Sequence, residues 1–138
     1  RLNFAFEKIE LSGGGGGMVV NCKSPDSFNG LVAPAMHYCA DNCHGGLQDP
    51  ALILPQAKAQ MDLTALKTDP AGTCVKVRAW ITAGDPDASQ ILLNTNPQGT
   101  AAHIYKFKGK YGNPAMPNDV NSFLYFKDQV TPWINAEK

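Results

Sequence analysis

The stretch HYCADNCHGG, residues 37–46, constrains this chain more than any other part. It holds two of the four cysteines, Cys39 and Cys43, with His44 directly after the second. Three kinds of chemistry use such a set. A covalent haem anchor needs two thiols for the two vinyl groups and an imidazole for the iron, usually spelled C-x-x-C-H. Here one residue more separates the cysteines. Residues four apart share a helix face, so both sulfurs can still point at one ring edge. A zinc site would use Cys39, Cys43 and His44, with Cys22, Cys74 or His37 as fourth ligand. The C-x₃-C spacing suits zinc, although no second closely spaced cysteine pair accompanies it. The third reading pairs Cys22 with Cys74, and either pairs Cys39 with Cys43 or leaves them reduced. The motif alone leaves all three open.

Bulk properties narrow the setting. With 138 residues, 43% of them hydrophobic, the chain is long enough for one domain with a sizeable core. Its 13 glycines and 10 prolines call for long loops. The formal net charge is zero, so no global basic field draws in nucleic acid or an anionic membrane. The basic run KFKGK, residues 106–110, reads as a solvated loop or strand edge. No apolar run approaches the roughly 18 residues needed to span a bilayer. An even cysteine count in a loop-rich chain leans toward an oxidising compartment, periplasmic or extracellular.

Residues 2–11 carry apolar side chains at Leu2, Phe4 and Phe6, then slip register, as a strand with a bulge would. Five glycines follow, Gly13 to Gly17, a composition that makes a flexible tether. The chain therefore divides into an extended arm with its tether, 1–17, and a body, 18–138. An apolar strand on a leash suits strand addition to a neighbour, hence a homo-oligomer or filament. In the body, Ser24, Pro25 and Asp26 are helix-entry signals, and Phe28, Val32 and Met36 form one apolar stripe. Pro34 should kink or restart that helix. Residues 56–67 suit a short helix or a turn plus a strand. TDPAGT reads as a turn and CVKVRAWI, 74–81, as a strand, by its β-branched alternation. Asp85 and Pro86 begin a turn and helix. HIYKFKGKYG suits another strand. A last helical segment, cut by Pro132, carries Trp133 and Ile134 as core anchors.

The order of these pieces resembles the class I c-type cytochromes, in particular variant monohaem domains with a CxxxCH attachment motif. The residues that carry the resemblance are Phe28, Val32, Pro34, Cys39, Cys43, His44, Gly45 and Gly46. Gly84, Asp85, Pro86, Ser89, Leu92 and Leu93 follow, then Met116 and Pro117, then Trp133 and Ile134. They span roughly residues 26–136. The resemblance implies a mainly α, cytochrome c-like helical domain with long loops and some short strands. It implies one haem c, with thioether bonds to Cys39 and Cys43, His44 as proximal iron ligand and Met116 as distal ligand. His103 is the alternative distal ligand, and His37 a third that could serve a neighbouring subunit's haem. The longer cysteine spacing departs from the usual pattern.

On this reading the protein is an electron carrier rather than an enzyme, working with redox partner proteins outside the cytoplasm. Cys22 and Cys74 are expected to form a disulfide. Closing a loop of that length is worth about 4 kcal/mol in the chain-entropy account. The other reading is a non-haem binding or structural module, stapled by disulfides or zinc. Hydrolase patterns such as G-x-S-x-G, H-E-x-x-H or a P-loop do not occur. Asp85 and Asp87 are better explained as turn and cap residues than as a catalytic pair.

Overall fold

The structure is a computed structural model and describes residues 21–107 and 122–138. The arm and tether, and the Met116–Pro117 pair, lie outside the described residues. Within them the chain is mainly helical, as expected: α1 (Pro25–Ser27), α2 (Ala33–Ala35), α3 (His37–Asp41), α4 (Pro55–Gln60), α5 (Pro70–Arg78), α6 (Gln90–Thr95) and α7 (Phe123–Ala136). No helix there is long and apolar enough to cross a membrane.

The expected strands are the main correction. Among the described residues, β pairing is limited to isolated bridge positions, Thr82 with Asp85 and Ser122. Residues 74–78 of the CVKVRAWI run lie in α5. What overrides their β propensity is the start signal just before them. Asp69 accepts a hydrogen bond from the Gly72 N–H at 3.0 Å, and Pro70 takes the first turn. A Cβ on Gly72 would lie 2.2 Å from the Asp69 carboxylate, so the glycine makes room for the cap. TDPAGT is therefore a helix start rather than a turn. The buried positions Thr73, Cys74 and Val77 then follow helical spacing. Asp49-Pro50 and Asp85-Pro86 open 3₁₀ turns (Pro50–Leu52 and Pro86–Ala88) in the same way, each aspartate accepting from a backbone N–H. Residues 103–107 have no regular structure.

The first helical segment shows how Pro34 is absorbed. Phe28–Val32 form a π-helical stretch between α1 and α2, and the N–H of Ala33 reaches back five residues to the Phe28 carbonyl. Proline has no N–H and its ring clashes with the carbonyl four residues back, so a local widening relieves both problems. The predicted stripe holds: Phe28, Val32 and Met36 are all fully buried. Pro132, by contrast, does not cut the last helix, since α7 runs through it to Ala136. The proline lies exposed, on the side where water can replace the lost bond. Trp133 and Ile134 are fully buried, and the Trp133 indole meets Phe28 edge-on at 5.2 Å between ring centres.

Cys22 and Cys74 are joined in a disulfide, Cα atoms 5.8 Å apart, which fastens the chain before α1 to α5. Beside it lies Glu137, with no solvent exposure. Its carboxylate accepts from the backbone N–H groups of Lys23 (3.0 Å) and Ser24 (2.6 Å), from Arg78 Nε, and from Trp133 Nε1 (3.1 Å). Arg78 also donates to the Glu137 carbonyl. Burial opposes the charge more than any other single factor. The bonds from Lys23, Ser24 and Arg78 together outweigh it and hold the carboxyl below its ordinary range.

The depressed folded-state pKa fixes the sign of the pH effect. The stabilisation is complete above the ordinary value of 4.5 and is lost as pH falls through the folded-state pKa. Glu137→Gln should lower stability at pH 7 by about 3 kcal/mol, because it strands a largely buried arginine. Urea denaturation at pH 7 and at pH 4 checks this: the variant should lose less stability on acidification than the parent. An unchanged acid limb would argue against the assignment.

Candidate functional site: two histidines and two cysteines on one cleft

The site begins where α3 ends. The helix stops at Asp41, so Cys39 and Cys43 do not share one continuous helical face, as the spacing suggested. The His44 N–H instead reaches the Cys39 carbonyl five residues back, at 3.0 Å. That wide turn takes up the extra residue of the C-x₃-C spacing. Gly45 and Gly46 then bring the chain back under the helix. A Cβ on Gly45 would lie 2.5 Å from the Ala40 carbonyl oxygen, and Gly46 has φ +56°. Both positions need glycine, the first for space and the second for its backbone conformation and for the Ile53 side chain, 2.5 Å from where a Cβ would lie. The return is locked by bonds from Leu47 N–H to the Ala40 carbonyl and from Leu63 N–H to the His44 carbonyl.

Cys39, Cys43, His44 and His103 line one cleft, with a cavity volume of about 220 Å³. A smaller space of about 60 Å³ lies behind it, also lined by Cys39, His44 and His103, with Met36, Trp80, Ile91 and Phe126 making its apolar wall. The His44 and His103 rings stand 6.3 Å apart, centre to centre, with planes 8° from parallel. Each ring is held the same way. His44 Nδ1 lies 2.9 Å from the Met61 carbonyl and His103 Nδ1 lies 2.8 Å from the Tyr105 carbonyl. A carbonyl only accepts, so each Nδ1 carries the hydrogen, and in the neutral ring Nε2 is left as the metal-binding nitrogen.

This pairing can be tested against the span a metal requires. Metal–nitrogen bonds of about 2.0–2.1 Å, and about 1.1 Å from each nitrogen to its ring centre, put two imidazoles on opposite sides of one ion roughly 6.2–6.4 Å apart, against roughly 5 Å at a tetrahedral ion. The observed 6.3 Å is of the first size, in rings that lie stacked with nearly parallel planes. Cys39 and Cys43 are both free thiols beside this pair. Burial chiefly, with a small contribution from Cys43, pushes the Cys39 thiol up to about 12. The three-residue donor cluster among the described residues is Cys22, Cys74 and Glu137, where both sulfurs are already in the disulfide.

His37 is not among the cleft-lining residues. It points toward Asp41, 3.6 Å away on the same helix, with its side chain 45% exposed. Met116 lies outside the described residues. Asp85 caps its 3₁₀ turn and Asp87 forms an exposed ion pair with Lys127, so neither joins a catalytic pair. Sequence reading gave no role to Met61 and Tyr105, which orient the histidines through their backbone carbonyls. Any residue type supplies that group. A ring contact at 4.8 Å between Tyr38 and Tyr105 ties the His103 segment to α3.

Comparison with protein-family models, with curated proteins and with solved structures gives no match.

The two glycines supply a test that needs no cofactor. Gly45→Ala should cost about 3 kcal/mol, since the crowding atoms are backbone. Gly46→Ala should cost about 1–2 kcal/mol for its left-handed φ. Urea titrations of both variants read the difference. Equal, negligible losses would show that the turn is not built as described.

Proposed function

We propose that this protein is a periplasmic or extracellular electron carrier whose Cys39 and Cys43 would hold one haem c and whose His44 and His103 would bind its iron. The observation that carries the reading is the parallel ring pair at 6.3 Å, beside two free thiols in the same cleft. That pair supports His103 as the second ligand, with its Nδ1 already engaged by the Tyr105 carbonyl; Met116, the ligand the resemblance implies, lies outside the described residues.

Haem bound in this cleft would supply one-electron exchange at iron, and two imidazoles set a lower potential than histidine with methionine. The chain's residues do the rest. Cys39 and Cys43 would anchor the group on the α3 side. The Met61 and Tyr105 carbonyls fix which nitrogen each histidine presents. Trp80, Ile91 and Phe126 keep water from the inner wall. Among the described residues, the cleft is lined by the exposed side chains of Tyr38, Leu54 and Ile104 and by no Asp, Glu, Lys or Arg. Such a lining suits brief outer-sphere contact with a redox partner protein.

Protein matured in cells with a haem-attachment system should keep its haem after denaturation and solvent extraction, with an intact mass of one haem above the bare chain. Cys39→Ala with Cys43→Ala should abolish that retention. His103→Ala should keep the added mass but lose the low-spin bis-imidazole spectrum, whereas Met116→Leu should leave the spectrum unchanged. A colourless protein of bare-chain mass would refute the haem reading. The opposite behaviour of the last two variants would return the distal position to Met116.

A further inference from the structure

We infer that Lys106 is a positioning residue for the distal imidazole, holding the His103 segment shut opposite His44; this rests on the haem reading above. The basic run that begins at Lys106 looks like a solvated loop in the sequence, and the structure gives its first lysine a different place. The Lys106 ammonium donates to the Asn94 carbonyl at 2.8 Å and to the Ala101 carbonyl at 2.7 Å. Asn94 lies in the last turn of α6, where helical carbonyls lack partners and a positive charge is favoured. Ala101 is the residue whose carbonyl also accepts the His103 N–H, at 2.9 Å.

One carbonyl thus receives both the lysine and the histidine backbone. The next residue, Phe107, is buried, and its N–H bonds to the Thr95 carbonyl at 3.1 Å. Phe107 fixes where the segment leaves the loop, and Lys106 draws its start back onto α6. His103 lies between these two anchors. Its other bond, from Nδ1 to the Tyr105 carbonyl, stays inside the same segment. No other side chain of the described residues donates to the Ala101 carbonyl, so the lysine is the cross-link between this loop and the helix at the end nearer His103. Removing its donors leaves Phe107 in place and frees the turn that presents the ring.

The test uses the full chain with haem attached and compares the parent with Lys106→Met, Lys106→Gln and Lys106→Arg, with His103→Ala as reference. Carbon monoxide is the probe, because it binds reduced haem only after the distal ligand leaves. Lys106→Met should carry one covalent haem by intact mass and bind carbon monoxide about tenfold faster than the parent, the worth of one charge-assisted hydrogen bond. Lys106→Arg, which keeps charge and donors, should stay near the parent. If Lys106→Met does not fold, Lys106→Gln decides by the same rate. A haem-loaded Lys106→Met or Lys106→Gln protein with the parent's rate and spectrum overturns the role of Lys106 while the haem reading stands. A parent chain without covalent haem overturns both.

Discussion

A carboxylate shut away from water is tolerable only where donors replace its hydration, and Glu137 is placed where three parts of the chain supply them. The backbone N–H groups of Lys23 and Ser24 come from the start of α1, the guanidinium of Arg78 from the end of α5, and the indole of Trp133 from α7 itself. The helices can satisfy this group only in one mutual arrangement. Adding the Cys22–Cys74 disulfide beside it restricts the unfolded chain in the same region. Hydrophobic burial of Phe28, Trp133 and Ile134 supplies the larger driving force but little direction. The carboxylate supplies the direction.

That arrangement reaches the cleft through the helices it orients. The segment that starts at Ser24 runs through the π-helical stretch and α2 into α3, which carries Cys39. The chain leaving α5 places Trp80 on the inner wall, with its indole N–H on the Gln60 carbonyl. α7 contributes Phe126 to the same wall. Cys39, Trp80 and Phe126 thus reach the cleft and the space beside it from the same three parts of the chain that meet at this buried charge, and Glu137 itself lines neither.

What the sequence made legible divides along the same line. The helix entry at Pro25, the buried stripe of Phe28, Val32 and Met36, the cap at Asp85 and the anchors Trp133 and Ile134 are local signals, written in neighbouring residues. The misreadings came where two local signals competed. In residues 69–81 an aspartate cap and a proline outweighed β-branched alternation, so α5 formed where a strand was expected. At Pro132 the missing N–H mattered less than the apolar face on either side of it. Lys106 read as part of a solvated basic run, and nothing in the sequence singled out Glu137. Their roles depend on backbone groups that folding brings near, and no residue pattern marks those. The histidine pair was visible in part: His44 followed from its cysteines and His103 was named as the alternative to Met116, whereas the approach of the two rings came only from the fold.

The two histidines are also held unequally, and this bears on how such a centre would work. His44 is tied to a segment remote in sequence by two bonds, its Nδ1 to the Met61 carbonyl and the Leu63 N–H to its own carbonyl. Moving it means separating α3 from residues 61–63, which pack in the core through Leu63. His103 is held within its own loop, by Ala101 and Tyr105, and that loop is joined to the body by Lys106, Phe107 and the Tyr38–Tyr105 contact. Local bonds open at lower cost than those that span the fold. The His44 side is therefore the more firmly held, and the His103 side the one that moves at lower cost. The exposed Ile104 lies next to that softer histidine, so a partner that covers the cleft mouth would meet the segment best able to move.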